Sequence, residues 1–329
     1  MPANLPPQYF EAERKLKTAK NIPDKIGILE EMLSIVPKHK GTEKLQALLK
    51  TKISKLKDQL QKKQATARHG PVFYIEKLGA GQVILIGPPN AGKSQILNSL
   101  TNAPAEVADY PFTTQKPVPG MMPYKNIQIQ LIDTPPITEE YLEPWLPEII
   151  KVADAVLLVV DLNDDNCLDQ IEVIFKRLED KKITLVEPKM VIESEKKPFL
   201  KRALIIGNKN DLSGATENLE FLKEFYAQKF PVISISAKEK VNLDNLKDRI
   251  YNILDIIRVY SKIPGKKPDL NEPFIFKKGA TVMDMAERIH KDFAYKLKYA
   301  RIWGSNKYDG QKVTKDYILQ EEDIIELHI

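Results

Sequence analysis

The apolar run Val83-Ile84-Leu85-Ile86 leads straight into Gly87-Pro88-Pro89-Asn90-Ala91-Gly92-Lys93-Ser94, and a helix-compatible segment, Gln95 to Leu100, follows. A buried strand, a G-x-x-x-x-G-K-[ST] loop and a helix in that order point to a phosphate loop in an α/β sheet. Gly87 and Gly92 let the backbone curl, so that successive N–H groups face a nucleotide's phosphates. Lys93 can place its ammonium between the β- and γ-phosphates, and the Ser94 hydroxyl can ligate Mg²⁺. The N-terminus of the helix opening near Gln95 adds partial positive charge. A glycine turn that merely happens to carry Lys-Ser is the bland alternative, and the strand in front argues against it. Residues 87–95 are the expected cradle of a nucleoside triphosphate.

A second apolar run, Leu204-Ile205-Ile206, ends in Asn208-Lys209-Asn210-Asp211. A carboxylate at Asp211 can accept two N–H groups from guanine, a donor pair that adenine lacks. Asn208 and Lys209 are expected to tie this loop to the phosphate loop and cover the base. A third run, Val232-Ile233-Ser234-Ile235, leads to Ser236-Ala237-Lys238, where the Ala237 N–H can meet guanine O6. Four residues of N-K-x-D are weak alone; their place at a strand end between the phosphate loop and S-A-K makes guanine the expected base.

Between these motifs, Ile127 to Asp133 alternates with period two, as a half-buried strand does. Asp133 at its end is placed to hold Mg²⁺ through a water. Upstream, Tyr110-Pro111-Phe112-Thr113-Thr114 lies in a loop, and Thr114 is the expected residue to complete the Mg²⁺ shell; ordinary loop hydroxyls are the alternative.

At 329 residues the chain is long enough for two or three domains. Its one cysteine, Cys167, excludes an internal disulfide framework, suggests a reducing compartment and reads as a helix-packing thiol. No apolar run is long enough to span a membrane, and the N-terminus has no signal-peptide pattern, so a cytoplasmic, monomeric protein with no membrane partner is expected. Charge is uneven: residues 1–70 hold 15 Lys/Arg against 7 Asp/Glu, residues 71–270 hold 25 against 28, and residues 271–329 hold 10 against 10.

The basic segment, 1–70, reads as a helical hairpin. Asp24 can cap a helix carrying Leu29, Leu33 and Val36 and closed by Pro37. A second helix, Thr42 to about Lys63, carries Leu49, Ile53, Leu56 and Leu60 on a narrow stripe that wants a partner, and Lys50, Lys52, Lys55 and Lys57 on its outer face. A solvated lysine face and a phosphate-contacting one both fit.

A nucleotide domain is expected over 71–268, closed by a linker at Pro264-Gly265-Lys266-Lys267-Pro268, and a small domain over 269–329. The latter reads as a strand near Phe274 to Phe276, a helix from about Met283 to Lys291, and strands near Tyr299 to Trp303 and Ile324 to His328. Its Lys291, Lys296, Lys298, Arg301, Lys307, Lys312 and Lys315 are interleaved with Phe293, Tyr295, Tyr299, Trp303 and Tyr308. Bases can stack on exposed rings while cations meet phosphates; Phe293 and Trp303 are expected instead to fill the core, and His290 to end the helix.

The run LTNAPAEVADYPFTTQKPVPGMMPY, with GPPNAGKS before it and NKND after it, resembles the Obg/DRG branch of translation-associated GTPases. The segment 272–329, with Lys278-Gly279, Thr281-Val282, Ile289-His290-Lys291, Lys298-Tyr299-Ala300, Trp303-Gly304-Ser305 and Asp323-Ile324, resembles the TGS domain of DRG-type proteins, a ubiquitin-like β-grasp. The resemblance spans roughly residues 71 to 329 and reaches the N-terminal helices through His39 to Leu45. It implies an α/β P-loop GTPase domain between a helical extension and a β-grasp, hydrolysing GTP slowly and engaging ribosomes or structured RNA. A GTP-dependent protein-interaction switch with little intrinsic hydrolysis is the competing expectation.

Two departures stand out. The family's D-x-x-G reads Asp133-Thr134-Pro135-Pro136, and Pro136 has no N–H to offer a γ-phosphate. The small domain that DRG proteins insert in the nucleotide domain is not recognisable; an ion-rich stretch, Lys181 to Lys201, separates a helix near Ile171 to Leu178 from the N-K-x-D strand. Where many GTPases orient water with Gln, this chain has Ile137, as the family does. Asn90 matches the asparagine with which related potassium-activated GTPases hold K⁺, a role in competition with a plain loop cap. Lys93, Thr114 and Asn90 are thus the expected contributors to hydrolysis.

Overall fold

The computed structural model describes residues 22–36, 75–101, 116–190, 198–304 and 308–329, with single positions among 8–15 and 42–55. It divides into two compact units, Met1–Phe73 and Tyr74–Ile329.

The first unit has a core of its own. Helix α1 (Ile22–Ile35) begins ahead of Asp24 and buries Leu29 and Met32, with Val36 buried just past its end at the same three-and-four spacing. Leu33 is only partly buried, and Met32 takes its expected place. Leu49 and Ile53 pack into the same cluster, together with Tyr9 and Ala12. The two-helix hairpin is therefore too simple, because the described residues upstream of α1 also cover the stripe. Lys50, Lys52 and Lys55 are exposed; Leu56, Lys57, Leu60 and Lys63 lie outside the described residues.

The second unit opens with a seven-stranded sheet. Along its path the order is β2 (Val118–Tyr124), β3 (Ile127–Asp133), β1 (Gln82–Ile86), β4 (Ala155–Asp161), β6 (Phe199–Asn208) and β5 (Ile183–Val186), with β7 (Val232–Ser234) also paired to β6. All pairs are parallel except the β2–β3 hairpin, which turns through Lys125-Asn126. Every residue of β1 and all of β4 but Asp161 are buried, as the unbroken apolar runs of strands inside a parallel sheet require. Helices α2 (Lys93–Leu100), α3 (Leu146–Val152), α4 (Cys167–Glu179), α5 (Ala215–Tyr226) and α6 (Leu243–Ile253) punctuate the strands. Cys167 is buried at the start of α4 and burial pushes its thiol up, in keeping with a packing role.

The ion-rich stretch is not a mere spacer. Its described part contains β5, which pairs Ile183 with Phe199 through Val186 with Arg202 along the first half of β6; β7 pairs with the second half. Residues 191–197 lie outside the described residues.

A second sheet runs in the order β11 (Gln311–Val313), β10 (Tyr299–Trp303), β12 (Ile324–His328), β8 (Ile256–Ser261) and β9 (Phe274–Lys277). Only β12–β8 is parallel. Helix α7 (Val282–Ile289) covers one face with Val282, Met285 and Ala286, and its first turn is closed by a Thr281–Asp284 capping box. The short α8 (Lys291–Lys296) follows, with His290 between the two helices accepting from Asp292 N at 3.2 Å. This is the expected β-grasp, but it starts earlier than residue 269. Ile257 and Val259 of β8 point into its core while Arg258 and Tyr260 point to the other side, the period of a strand. The Pro264–Pro268 segment consequently connects β8 to β9 inside the sheet rather than joining two domains.

Candidate nucleotide site

The phosphate loop leaves β1 at a point where the chain has no room for side chains. A Cβ on Gly87 would stand 2.2 Å from the Val159 carbonyl oxygen of neighbouring β4. Gly92, at φ +90°, would carry a Cβ 2.2 Å from Asn208 Nδ2. Asn90 adopts a left-handed φ of 59° with its side chain at the surface, a conformation asparagine tolerates. Pro88 and Ala91 are buried, and Pro89 and Gln95 are exposed.

Helix α2 begins at Lys93 itself, two residues before the expected start. Lys93 is only 7% exposed, and its ammonium donates to Gly87 O at 3.2 Å and Pro88 O at 2.9 Å, curled into the loop that would receive phosphates. Burial lowers its pKa to about 8, against the charge of Asp133. Ser94 Oγ donates to Asp133 Oδ2 at 2.6 Å, joining the two expected Mg²⁺ ligands. Burial raises the Asp133 pKa while Ser94, Lys93 and Thr134 oppose the shift. Its other oxygen, Oδ1, is buried with no hydrogen-bond partner. An orphaned carboxylate oxygen beside a serine hydroxyl fits a hard cation with oxygen ligands, and Mg²⁺ bound there would neutralise charge on the β- and γ-phosphates. Thr113 and the third expected ligand, Thr114, lie outside the described residues.

Beyond Asp133, Thr134 Oγ1 donates to Leu85 O at 2.7 Å and pins the end of β3 to β1. Pro136 offers no donor, and the next residue, Ile137, donates its N–H to Gly87 O at 3.0 Å. Ile137 is 1% exposed, so it is an anchor for this segment and not a group that reaches an attacking water.

The base-recognition loops are braced by one side chain. Asn208 is buried at the end of β6; its Nδ2 donates to Ala91 O at 2.9 Å and its Oδ1 accepts from Ala237 N at 3.0 Å. The expected phosphate-loop tie is present, but the Ala237 N–H is already engaged with Asn208, so guanine O6 would have to share that donor. Ser99 Oγ of α2 donates to Ala237 O at 2.8 Å from the other side. Lys209 pairs with Asp161 at 2.5 Å, a partner the sequence motifs did not single out although Asp161, like Asp133, ends an apolar strand. Asp211 is exposed, and a hydrogen bond from the buried Ser236 holds its carboxyl below the usual range, with Lys238 and Lys209 adding to the effect. Ser236 also accepts from Glu239 N at 3.0 Å. A deprotonated, open carboxylate is what two guanine N–H groups need.

On the second sheet, Arg301 of β10 faces Lys312 of β11 across the ladder, and Lys312 Nζ lies 4.1 Å from the Tyr299 ring centroid. Tyr299 stacks on His328. Phe293 packs on the core as expected, whereas Trp303 does not join it; Lys262 sits 4.3 Å over its ring on the outer face. Tyr295 and Tyr308 are 90% and 87% exposed.

Comparison with known proteins agrees with this geometry. Residues 82–191 match the family described as 50S ribosome-binding GTPase, and residues 257–329 match the TGS domain, which includes β8 as the sheet does. The chain is 32% identical over 370 residues to an uncharacterized GTP-binding protein of Methanocaldococcus jannaschii, covering 94% of this chain and 93% of that one. It is 29% identical over 365 residues to developmentally-regulated GTP-binding protein 2 of Homo sapiens, covering 93% and 99%. Its fold is similar to the crystal structure of the Schizosaccharomyces pombe YchF GTPase, with a TM-score of 0.53 at 14% identity over 78% of this chain and all of that one. A Gly87–Ser94 cradle wired to Asp133, a guanine loop braced by Asn208 and a C-terminal TGS sheet accordingly make this chain a member of the Obg/DRG-type GTP-binding proteins.

Proposed function

We propose that the chain is a slow GTP-hydrolysing switch that engages the ribosome or structured RNA in the cytoplasm. The observation that carries this reading is the presence, in one compact unit, of a braced guanine-nucleotide site and an outer sheet face bearing Lys312, Arg301 and Tyr299. Exposed Tyr295 and Tyr308 add stacking surfaces, and the matched family's description supports a ribosomal partner. Slow turnover is supported by Ile137, buried where many GTPases place a water-orienting Gln, and K⁺ beside Asn90 would supply part of the positive charge that hydrolysis needs. Ribosome co-sedimentation with a non-hydrolysable GTP analogue, GDP or no nucleotide tests the partner. Retention should favour the GTP analogue and fall steeply with salt; retention equal in all three states, or none at low salt, rejects it. Equal hydrolysis rates in K⁺ and Na⁺ would remove the Asn90 role.

A second reading, a protein-interaction switch with little hydrolysis of its own, is favoured by Pro136 and by the Ile137–Gly87 bond, which close the segment without using a γ-phosphate. Single-turnover hydrolysis by the purified protein separates the two.

A further inference from the structure

We propose a second anion site, for a phosphate group, at the end of the seven-stranded sheet opposite the nucleotide, where Lys77, Lys201, Arg202 and Lys277 gather beside Asp154 and Asp255. The nucleotide loops follow the C-terminal ends of β1, β3 and β6; this cluster lies where β4, β6 and β8 begin.

Two neighbouring turns build it in the same way. Ahead of β4, Lys201 Nζ donates to Ala153 O at 2.7 Å and Lys77 pairs with Asp154 Oδ1 at 2.9 Å. Ahead of β8, Lys277 Nζ donates to Leu254 O at 3.0 Å while Arg202 pairs with Asp255 at 3.0 Å and Lys278 lies 3.7 Å from it. Five cations thus stand around two carboxylates, which pair with three of them. Asp154 is already committed further, since its Oδ2 accepts from Gln82 N at 2.9 Å.

The imbalance falls on Lys201, Lys277 and Arg202. Lys201 bonds to a carbonyl and to no carboxylate, and burial together with the charges of Lys77 and Lys277 lowers its pKa to about 8, against the pull of Asp154. Lys277 is lowered too, mainly by burial. Arg202 keeps a buried Nε with no hydrogen-bond partner. Clustered ammonium groups with spare N–H bonds suit a compact anion with several acceptor oxygens, and phosphate supplies both the charge and the acceptors. A phosphate there would raise the Lys201 pKa back towards its ordinary value and occupy donors the carboxylates leave free. The site is separate from the guanine-nucleotide site and stands whether or not the chain engages RNA.

The full chain, saturated with GDP and Mg²⁺, is titrated with inorganic phosphate while backbone amide resonances near residues 77, 154 and 202 are followed by NMR, and with a short single-stranded RNA by fluorescence anisotropy. Saturable shifts at those amides are expected, and Lys77→Gln and Lys201→Gln should each weaken phosphate binding about tenfold with GDP affinity unchanged. RNA affinity falling in parallel identifies a backbone phosphate as the source; unchanged RNA affinity identifies a free phosphate. Absence of saturable shifts, or equal phosphate affinity in wild type and both variants, overturns the site. If Lys201→Gln fails to fold, the exposed pair Lys77→Gln and Lys278→Gln carries the same decision.

Discussion

Arg258 Nη1 donates to Asn126 Oδ1 at 2.6 Å, and this bond fastens the β2–β3 hairpin of the nucleotide domain to the β-grasp sheet. Arg258 is buried; its other donors reach Glu321 at 3.0 and 2.8 Å and Glu322, and Nη1 also reaches the Tyr260 hydroxyl at 3.5 Å. Asn126 in turn donates to the Tyr260 hydroxyl at 2.9 Å and to Leu270 O at 2.8 Å. Beside it, Tyr124 stacks on Tyr251, whose hydroxyl donates to Glu321 at 2.6 Å. The hairpin tip is held by the TGS sheet while its other end carries Asp133 of the cation site. Any movement of β3 that follows nucleotide exchange must therefore be absorbed by, or passed to, the second sheet.

Removing the acceptor tests this junction. Asn126→Ala leaves the buried Arg258 Nη1 with only its long 3.5 Å contact to the Tyr260 hydroxyl, and losing the short acceptor costs about 1–3 kcal/mol. Thermal unfolding should come several degrees lower, while GDP affinity at the distant loop stays within about twofold, because no residue of the cradle is touched. An unchanged melting temperature would mean that the bond fastens nothing.

Pro136 makes a second, opposite prediction. Pro136→Gly supplies the N–H that a γ-phosphate can accept, and a hydrogen bond to a charged group contributes about 1.5–3 kcal/mol. Affinity for a non-hydrolysable GTP analogue should rise about tenfold relative to GDP, with GDP binding itself unchanged. If the ratio does not move, the Ile137–Gly87 bond already fixes the segment and the proline is not what silences it.

Much of the site was legible because its chemistry is local. Lys93, Ser94 and the glycines sit within one loop, Asp133 ends an alternating strand, and Asn208 ends an apolar run with Asp211 just past it. The rest depends on distant pairing. The Lys209–Asp161 bond joins two strand ends, and Arg258 meets Glu321 through a fold that brings residues sixty-three positions apart together. The strand β5 was hidden in a charged stretch because its four residues, Ile183–Val186, are too few to show a period. The run Ile256–Ser261 falls inside the expected 71–268 domain yet joins the second sheet, because its alternation shows that it is a strand but not which sheet it joins. Trp303 lies on the outer face and not in the expected core, because alternation alone does not say which face of β10 is covered.

Lys93 links nucleotide binding to pH. In the free protein its pKa is about 8, and phosphate oxygens beside it must raise that value in the complex. Binding then takes up a proton at any pH between the two values. Affinity is at its full level below the free-state value and falls as pH rises through it, by about tenfold per unit once Lys93 is deprotonated in the free protein. GDP titrations from about pH 7 to about pH 9, together with calorimetry in two buffers of different ionisation enthalpy, measure both effects. A flat affinity with no proton uptake would show that the ammonium does not serve the phosphates.

Asp211 decides the base. Its carboxylate is exposed and kept ionised by Ser236, so Asp211→Asn changes recognition without disturbing packing. An amide retains one acceptor and adds a donor where guanine also presents donors, so the exocyclic amine of guanine is opposed instead of bound. GTP affinity should fall about a hundredfold or more, since a site built to bond a polar group discriminates strongly against a mismatched partner. Xanthine carries a carbonyl oxygen in place of that amine and meets the new donor, so xanthosine triphosphate should bind the variant better than GTP does, reversing the preference of the wild type. The phosphate cradle and the Asn208 brace are untouched by the change, and the melting temperature should stay within about 2 °C of wild type. Equal losses for both nucleotides would place the base elsewhere than at Asp211, and with it the role of the Asn208–Ala237 bond in shaping the pocket.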